Sequence, residues 1–292
     1  MIAVVVVSKD EPALENTLSD LHVPGAATGA DIVVVDASSG RLEDMRQRFA
    51  DVRWIDFTAP EGMAGRVTIP HQRNVGLRAT SGADCVVFVD AGCRLGPDWL
   101  RLLSEPILRG TEDVTVGRSV GSGAWSYLYE RDADNIPEYV DEAPTMNLAL
   151  SRRIIDAIGD FDEHFEYGSD IDYTWRIVNS GTRIRSVREA VVSHDWGDRR
   201  RQLRRTYAYG KARARLHRKH ATPLRDVLKR EPATLAYPLF ILLLPLALVF
   251  PGYLLLLAIP AWRARHSHPA IVILSHLVYS IGLLAEILRR SP

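Results

Sequence analysis

Four short apolar, β-branched runs, each followed by a helix-like stretch, constrain this chain more than any other feature. Residues 2–7 precede 12–21, residues 32–35 precede 42–49, residues 52–57 precede 68–79, and residues 85–89 precede 97–108. Runs that are apolar throughout are buried on both faces, and strands separated by helices pair mainly in parallel. The pattern predicts an α/β fold: a mixed, mainly parallel, Rossmann-like sheet flanked by helices. Ligands on such sheets bind beyond the carboxyl ends of the strands. That directs attention to Ser8 and Asp10 after the first run, Asp36 and Ser38 after the second, and Asp90 and Gly92 after the fourth.

No G-x-G-x-x-G follows the first run and no G-x-x-x-x-G-K occurs, so dinucleotide and P-loop sites lack the motifs they need. After Gly110 the alternation loosens, with residues 114–116 and 146–150 as strand candidates around an aromatic, acidic stretch. Farther on, Tyr167-Gly168-Ser169-Asp170-Ile171-Asp172-Tyr173-Thr174-Trp175-Arg176 carries a helix-start pattern. Ser169 and Asp172 are spaced to cap amide donors, which starts the helix at Asp170. Ile171, Trp175 and Val178 then share a buried stripe, and Asp172 pairs with Arg176 on the surface. Asp170 is left at the positive end of the helix dipole, where an ionised carboxylate is favoured and can serve as a general base. A short strand at residues 190–192 runs into Ser193 and His194, and an imidazole facing Asp90 across the same edge suits Mn²⁺ or a similar ion.

The chain's 292 residues suffice for one large domain with an appendage. Its 36 basic and 36 acidic residues balance, which gives no global attraction to nucleic acid. The balance conceals a basic run, Arg199-Arg200-Arg201, Arg204-Arg205, Lys211, Arg213, Arg215 and Arg218-Lys219, just before the most apolar part of the chain. Residues 235–259 carry no charge, and residues 270–288 carry one acid, Glu286. The organisation expected is therefore a catalytic domain over 1–198, a basic amphipathic segment over 199–232, and a membrane segment over 233–292. Two hydrophobic helices, about 235–259 and 270–288, are expected in that last segment, kinked by Pro238, Pro245 and Pro251. They either cross the bilayer or lie in it as a hairpin. The basic run places the preceding domain on the cytoplasmic side and would bind anionic lipid headgroups. The small and polar residues of the tail suit packing against a second copy or another membrane protein. Cys85 and Cys93 are too few for a disulfide framework, and the chain opens directly into a strand with no signal-peptide pattern.

Taken in order, these stretches resemble family 2 glycosyltransferases of the GT-A fold over about residues 2–196. Val33-Val34-Val35-Asp36 resembles the family's base-binding strand end, Gln72-Arg73-Asn74-Val75-Gly76 its R-N-x-G segment, and Val89-Asp90-Ala91-Gly92 its D-x-D segment. Met146-Asn147-Leu148 and Gly159-Asp160-Phe161-Asp162 resemble acceptor-side segments, and Gly168-Ser169-Asp170 its E-D motif. Two positions depart: Gly92 stands where a metal-binding Asp is usual, and Ser169 where a Glu is usual.

The resemblance implies an inverting transfer at the cytoplasmic membrane face. A nucleotide-diphosphate sugar would bind at Ser8, Asp10, Asp36, Arg73 and Asp90. Asn147, Asp160 and Trp175 would face the acceptor, a hydroxyl of a lipid-linked or cell-envelope glycan. Asp170 would act as base, and a divalent cation, Mn²⁺ or Mg²⁺, would sit at Asp90 and His194. Without an ion, Arg73 and the basic segment near Arg199 would carry the diphosphate's charge. A polyprenyl phosphate acceptor and a non-catalytic membrane scaffold of the same fold are the competing expectations. Loops over 62–69 and 125–139 are expected to set sugar and base specificity.

Overall fold

The computed structural model describes residues 1–59, 68–126, 135–265 and 268–289. In chain order these form β1 (Ile2–Ser8), α1 (Leu14–Leu21), β2 (Asp31–Asp36), α2 (Glu43–Arg48), β3 (Arg53–Asp56), α3 (Ile69–Ala79), β4 (Cys85–Asp90), β5 (Arg94–Leu95) and α4 (Trp99–Leu108). Then follow β6 (Val114–Ser122), β7 (Tyr139–Val140), β8 (Asn147–Ser151), α5 (Arg152–Ile158), α6 (Ser169–Asn179) and β9 (Ile184–Asp195). The remaining helices are α7 (Arg199–Lys219), α8 (Leu224–Arg230), α9 (Ala233–Leu242), α10 (Ala258–Arg263) and α11 (Pro269–Leu288).

Among the described residues nine strands form one sheet in the order β3-β2-β1-β4-β8-β6-β9-β5, with β7 also on β9. The first four strands are parallel, as the apolar runs require. The sheet then reverses at β8, which is antiparallel to both β4 and β6, and resumes parallel pairing between β6 and β9. Strand β9 is four times the length its apolar core at 190–192 implies, because β6 continues past β8 and pairs with it through Ser122.

Valines 4, 5, 6, 33, 34, 35, 86 and 87 are fully buried, which accounts for runs without polar alternation. On one face Phe88, Leu148, Phe161, Tyr173 and Ile177 form a continuous core with Leu77 and Ile154. Burying each such large apolar side chain stabilises the fold by roughly 1.5–3 kcal/mol. Helix α3 lies so close to β1 that a Cβ on Gly76 would stand 2.4 Å from Val5 Cγ1. The glycine of the R-N-x-G stretch is thus a contact surface, and it lets α3 bring Gln72 and Arg73 to the strand ends.

The chain divides into two compact units, Met1–Ser122 with Tyr129–Asp195, and Gly123–Leu128 with Trp196–Pro292. In the second unit the uncharged stretch 235–259 is not the single helix expected. It breaks after α9 into two 3₁₀ segments, Leu244–Leu248 and Pro251–Leu257, before α10. Pro245 and Pro251 each stand in the first turn of a new segment, where a missing amide costs nothing, whereas Pro238 is absorbed within α9. Helix α11 is the one described helix long and apolar enough to cross a membrane.

Basic helix α7 packs against α11. A Cβ on Gly210 would meet the carbonyl of Tyr279, and one on Gly282 the carbonyl of Tyr207, so the two backbones touch at their crossing. Glu286 is buried there and accepts from Arg215 Nε at 2.7 Å, with Lys211 Nζ at 3.9 Å and its carbonyl on Arg218 at 3.2 Å. Arg213 pairs with Glu231 at 3.1 Å. Lys211, Arg213 and Arg215 therefore hold the unit together instead of facing headgroups, and the exposed basic side chains of α7 are Arg199, Arg200, Arg201 and Arg204, with Arg218 and Lys219 at its far end.

Candidate active site

Parallel register sets Ser8 beside Asp36 and Val7 beside Asp90, so three strand ends present their polar residues along one edge. Ser8 is buried and its hydroxyl has no partner among the described residues, while its carbonyl accepts from Gln72 Nε2 at 2.8 Å. Gln72 also donates to the carbonyl of Val35 at 2.9 Å, which ties α3 to the ends of β1 and β2. Asp36 is buried, and its Oδ1 accepts from the amide of Ser38 at 3.0 Å and from its hydroxyl. That turn holds Ser38 Oγ, which accepts from the amide of Asp10 at 2.7 Å. Asp10 itself has a left-handed backbone (φ 54°) and makes a bidentate pair with Arg41, whose donors hold its carboxyl below the usual carboxylate range. Asp10, expected at the nucleotide, thus stands at the strand end in an exposed pair with Arg41.

Asp90 ends β4 and leads into a tight turn. Gly92 there has φ +88°, and its amide donates to Thr17 Oγ1 at 3.0 Å, while Thr17 donates to the carbonyl of Cys93 at 2.8 Å. Thr17 was missed from the sequence, although a threonine on the Leu14, Leu18, Leu21 stripe signals a buried hydrogen bond. The turn returns as β5, antiparallel to β9, and this brings Cys93 Sγ to 3.8 Å from His194 Nδ1. Both cysteines are free and buried, and burial pushes the Cys93 thiol far up.

Helix α6 begins at Ser169, one residue earlier than expected, after Gly168 in the left-handed region (φ 80°). Ser169 is not a cap: its hydroxyl is buried 3.4 Å from Arg73 Nη1. The buried face of α6 is Ser169, Asp172, Tyr173 and Ile177, and the expected stripe of Ile171, Trp175 and Val178 is only partly covered. Asp172 and Arg176 do pair, at 3.2 Å, but Asp172 is fully buried rather than on the surface. Asp170 accepts from the amide of Ile171 at 2.9 Å. Desolvation raises its pKa above the ordinary carboxylate value; the Arg73 charge and the Ile171 amide pull it back, and Asp90 raises it further. Asp170 is half-buried by surface area, and the desolvation this brings outweighs the dipole argument for an easily ionised carboxylate.

Arg73 is 5% exposed, with Nη2 at 3.5 Å from Asp90 Oδ1 and its guanidinium 5.7 Å above the ring of Phe161. Phe161 stacks on Tyr173 at 4.1 Å and is clasped by Asn74, which accepts from its amide at 2.8 Å and donates to its carbonyl at 3.0 Å. The aromatic residue of the Gly159-Asp160-Phe161 stretch is therefore the one that reaches the site. Asp160 pairs with Arg78 at 2.9 Å, more than a turn of α3 beyond Arg73. Asn147 is fully buried: Trp99 Nε1 donates to it at 2.7 Å and it donates to the carbonyls of Arg118 and Ala190, each at 3.0 Å. Asp160 thus sits in an exposed ion pair, whereas the Asn147 amide is spent inside the sheet. Trp175 is half-buried on α6 and donates to Glu142 at 3.1 Å. The specificity loops expected over 62–69 and 125–139 fall mainly on residues 60–67 and 127–134, outside the described residues.

Among the described residues no three His, Cys, Asp or Glu side chains converge as a metal site. Asp90 at the end of β4 and His194 near the end of β9 remain as two donors, with Asp90 facing Arg73 and no side chain at Gly92. This donor set does not make a closed metal centre from the protein's own residues.

A family model described as glycosyl transferase family 2 matches residues 3–169. Two curated relatives, pre-mycofactocin glycosyltransferases of two strains of Mycobacterium tuberculosis, are 27% identical over 213 residues, covering 66% of this chain and 43% of theirs. The chain thus spans less than half the length of those relatives. A solved mannosyltransferase from Pyrobaculum calidifontis, in complex with GDP-Man and Mn²⁺, is 18% identical with a TM-score of 0.73, covering 99% of this chain and 88% of that one.

Proposed function

The chain belongs to glycosyl transferase family 2, and from that premise we propose that it transfers a sugar from a nucleotide-diphosphate sugar to a hydroxyl acceptor with inversion at the anomeric carbon. The donor's base would lie at Ser8 and Asp36, and its ribose near Asp90, along the edge where β2, β1 and β4 end together. A single observation carries the assignment of the base. Asp10 is paired with Arg41, Asp36 holds Ser38, Asp172 is paired with Arg176 and Asp160 with Arg78, whereas no side chain donates to Asp170 among the described residues. Its carboxylate keeps a lone pair for an acceptor proton.

In the step proposed, the acceptor oxygen attacks the anomeric carbon from the face opposite the diphosphate, Asp170 takes its proton, and the bond to the diphosphate oxygen breaks. A raised pKa suits this role, because a more basic carboxylate is a better proton acceptor once ionised. A hydroxyl acceptor needs such a base; an already ionised lipid phosphate does not. The test is a donor panel: the full chain incubated with UDP- and GDP-sugars and an envelope lipid extract, with release of nucleoside diphosphate measured. Release dependent on the extract is the expected result. No release from any donor would overturn the assignment.

Membrane attachment is part of the same proposal. Leu248 and Val249 are each 88% exposed, and Phe250 and Leu255 also face outward in the broken stretch after α9, as does Ile259 in α10. So large an apolar surface suits a lipid bilayer, and the exposed arginines of α7 suit its anionic headgroups. A cytoplasmic location for the catalytic unit and a lipid-linked glycan acceptor are the corresponding expectations.

A further inference from the structure

We infer that the Arg73 guanidinium is the cation that receives the donor's diphosphate, standing where a carboxylate-held metal ion would otherwise be; this rests on the nucleotide-sugar assignment above. Arg73 is 95% buried by surface area and carries five N–H donors in a planar fork. Among the described residues its polar contacts are Ser169 Oγ at 3.4 Å and Asp90 Oδ1 at 3.5 Å, both at the outer limit of a hydrogen bond, beside the face of Phe161. A buried cation this loosely partnered is incomplete, since charges taken out of water are otherwise closely paired. An anion with paired oxygens, such as a diphosphate, is the ligand that a guanidinium fork fits bidentately.

Position selects the same ligand. Arg73 lies between Asp90, on the donor side, and Ser169, the residue before the proposed base. A diphosphate on Arg73 would thus lie between the donor's strand end and Asp170, whose carboxyl feels the Arg73 charge.

The donor set around a metal ion is depleted in the same place. Gly92 supplies no carboxylate, its backbone is left-handed, and a Cβ there would come within 3.3 Å of the Ala13 Cβ. Asp90 already faces the guanidinium and His194 faces a thiol. A dication on Asp90 would be held beside a buried like charge. Arginine stays protonated at every working pH, so the charge it offers is permanent. In the transfer step the electron pair of the breaking bond remains on the diphosphate oxygen, the acceptor proton passes to Asp170, and Arg73 donates two N–H groups to the oxygens gaining charge.

The test is calorimetric titration of the full chain in detergent with GDP, UDP, guanosine and uridine. The protein is first stripped with EDTA, then measured in EDTA or in Mn²⁺. One diphosphate is expected to bind equally well in both. Arg73→Gln is expected to weaken that diphosphate by about tenfold or more while leaving the nucleoside's affinity unchanged. Arg73→Lys, which keeps the charge and loses the fork, should recover part of the loss. A wild-type diphosphate affinity that collapses in EDTA and returns with Mn²⁺ overturns the inference, and so does equal weakening of nucleoside and diphosphate in Arg73→Gln. If circular dichroism finds Arg73→Gln unfolded, the wild-type metal comparison decides. Absence of binding by every nucleotide and nucleoside would instead overturn the donor assignment, and this inference with it.

Discussion

Replacing Asp170 by Asn removes the proton acceptor and keeps the shape. General-base catalysis is worth about 10²–10⁴ in rate, so turnover should fall by that factor, or about 2.7–5.4 kcal/mol in barrier. The donor's KM should not move, because Ser8, Asp36 and Asp90 sit on other strand ends. The same substitution has a stability consequence of determined sign. Burial raises the folded-state pKa of Asp170 above its value of 3.8 in the unfolded chain. Between those two values the folded state binds the extra proton, so its contribution is present at low pH and is lost as pH rises through the folded pKa. Asp170→Asn should therefore raise Tm at pH 7–8, with the gain disappearing below about pH 3.8. The acid limb of the wild-type kcat/KM profile should likewise lie above the ordinary carboxylate range. Stopped turnover assays and thermal melts at several pH values check each point. Wild-type turnover in Asp170→Asn would refute its role as base; an unchanged Tm at pH 8 would refute the claim that its charge is buried at a cost.

Two further outcomes follow from residues outside the chemistry. Asn147→Leu removes three hydrogen bonds and strands the Trp99 N–H and two carbonyls, which at about 1 kcal/mol or more per group should cost about 3–5 kcal/mol in urea unfolding; a loss below 1 kcal/mol would return Asn147 to the acceptor side. Vesicle flotation should recover the wild-type chain with anionic liposomes, and Leu248→Glu combined with Val249→Glu should reduce recovery severalfold. Equal flotation of the two proteins would mean that another surface meets the lipid.

The sheet was legible because its first four strands advertise themselves twice, by uninterrupted β-branched burial and by polar residues at their ends. The edge formed by Ser8, Asp36 and Asp90 follows from parallel register, which periodicity predicts. Motif spacing also led to Asp170. Side-chain pairing was not legible, because it is decided by partners distant in sequence. Asp10 meets Arg41, Asp160 meets Arg78 and Asn147 meets Trp99, and none of these partners lies within 25 residues of the group it pairs with. Burial of Asp172 was hidden for a related reason: an i,i+4 pair reads the same on a wet face as on a dry one.

Helix α11 combines the length and composition of a membrane span with a polar contact to α7. Its 20 residues have the required length and mean hydropathy, yet its second half lies against the most basic helix of the chain. Gly210 and Gly282 permit that contact by removing the Cβ atoms that would strike opposing carbonyls, and Glu286 binds there to Arg215 and Lys211. Carrying these cations into hydrocarbon along with α11 would be expensive, since polar groups at membrane depth must be paired and sheltered throughout. About ten residues of α11 precede the crossing at Tyr279, roughly 15 Å of helix and half of a hydrocarbon core. The large apolar side chains that no neighbour covers are concentrated instead in the broken stretch between α9 and α10. The proline-divided segment is thus better placed than the regular helix to meet a lipid surface.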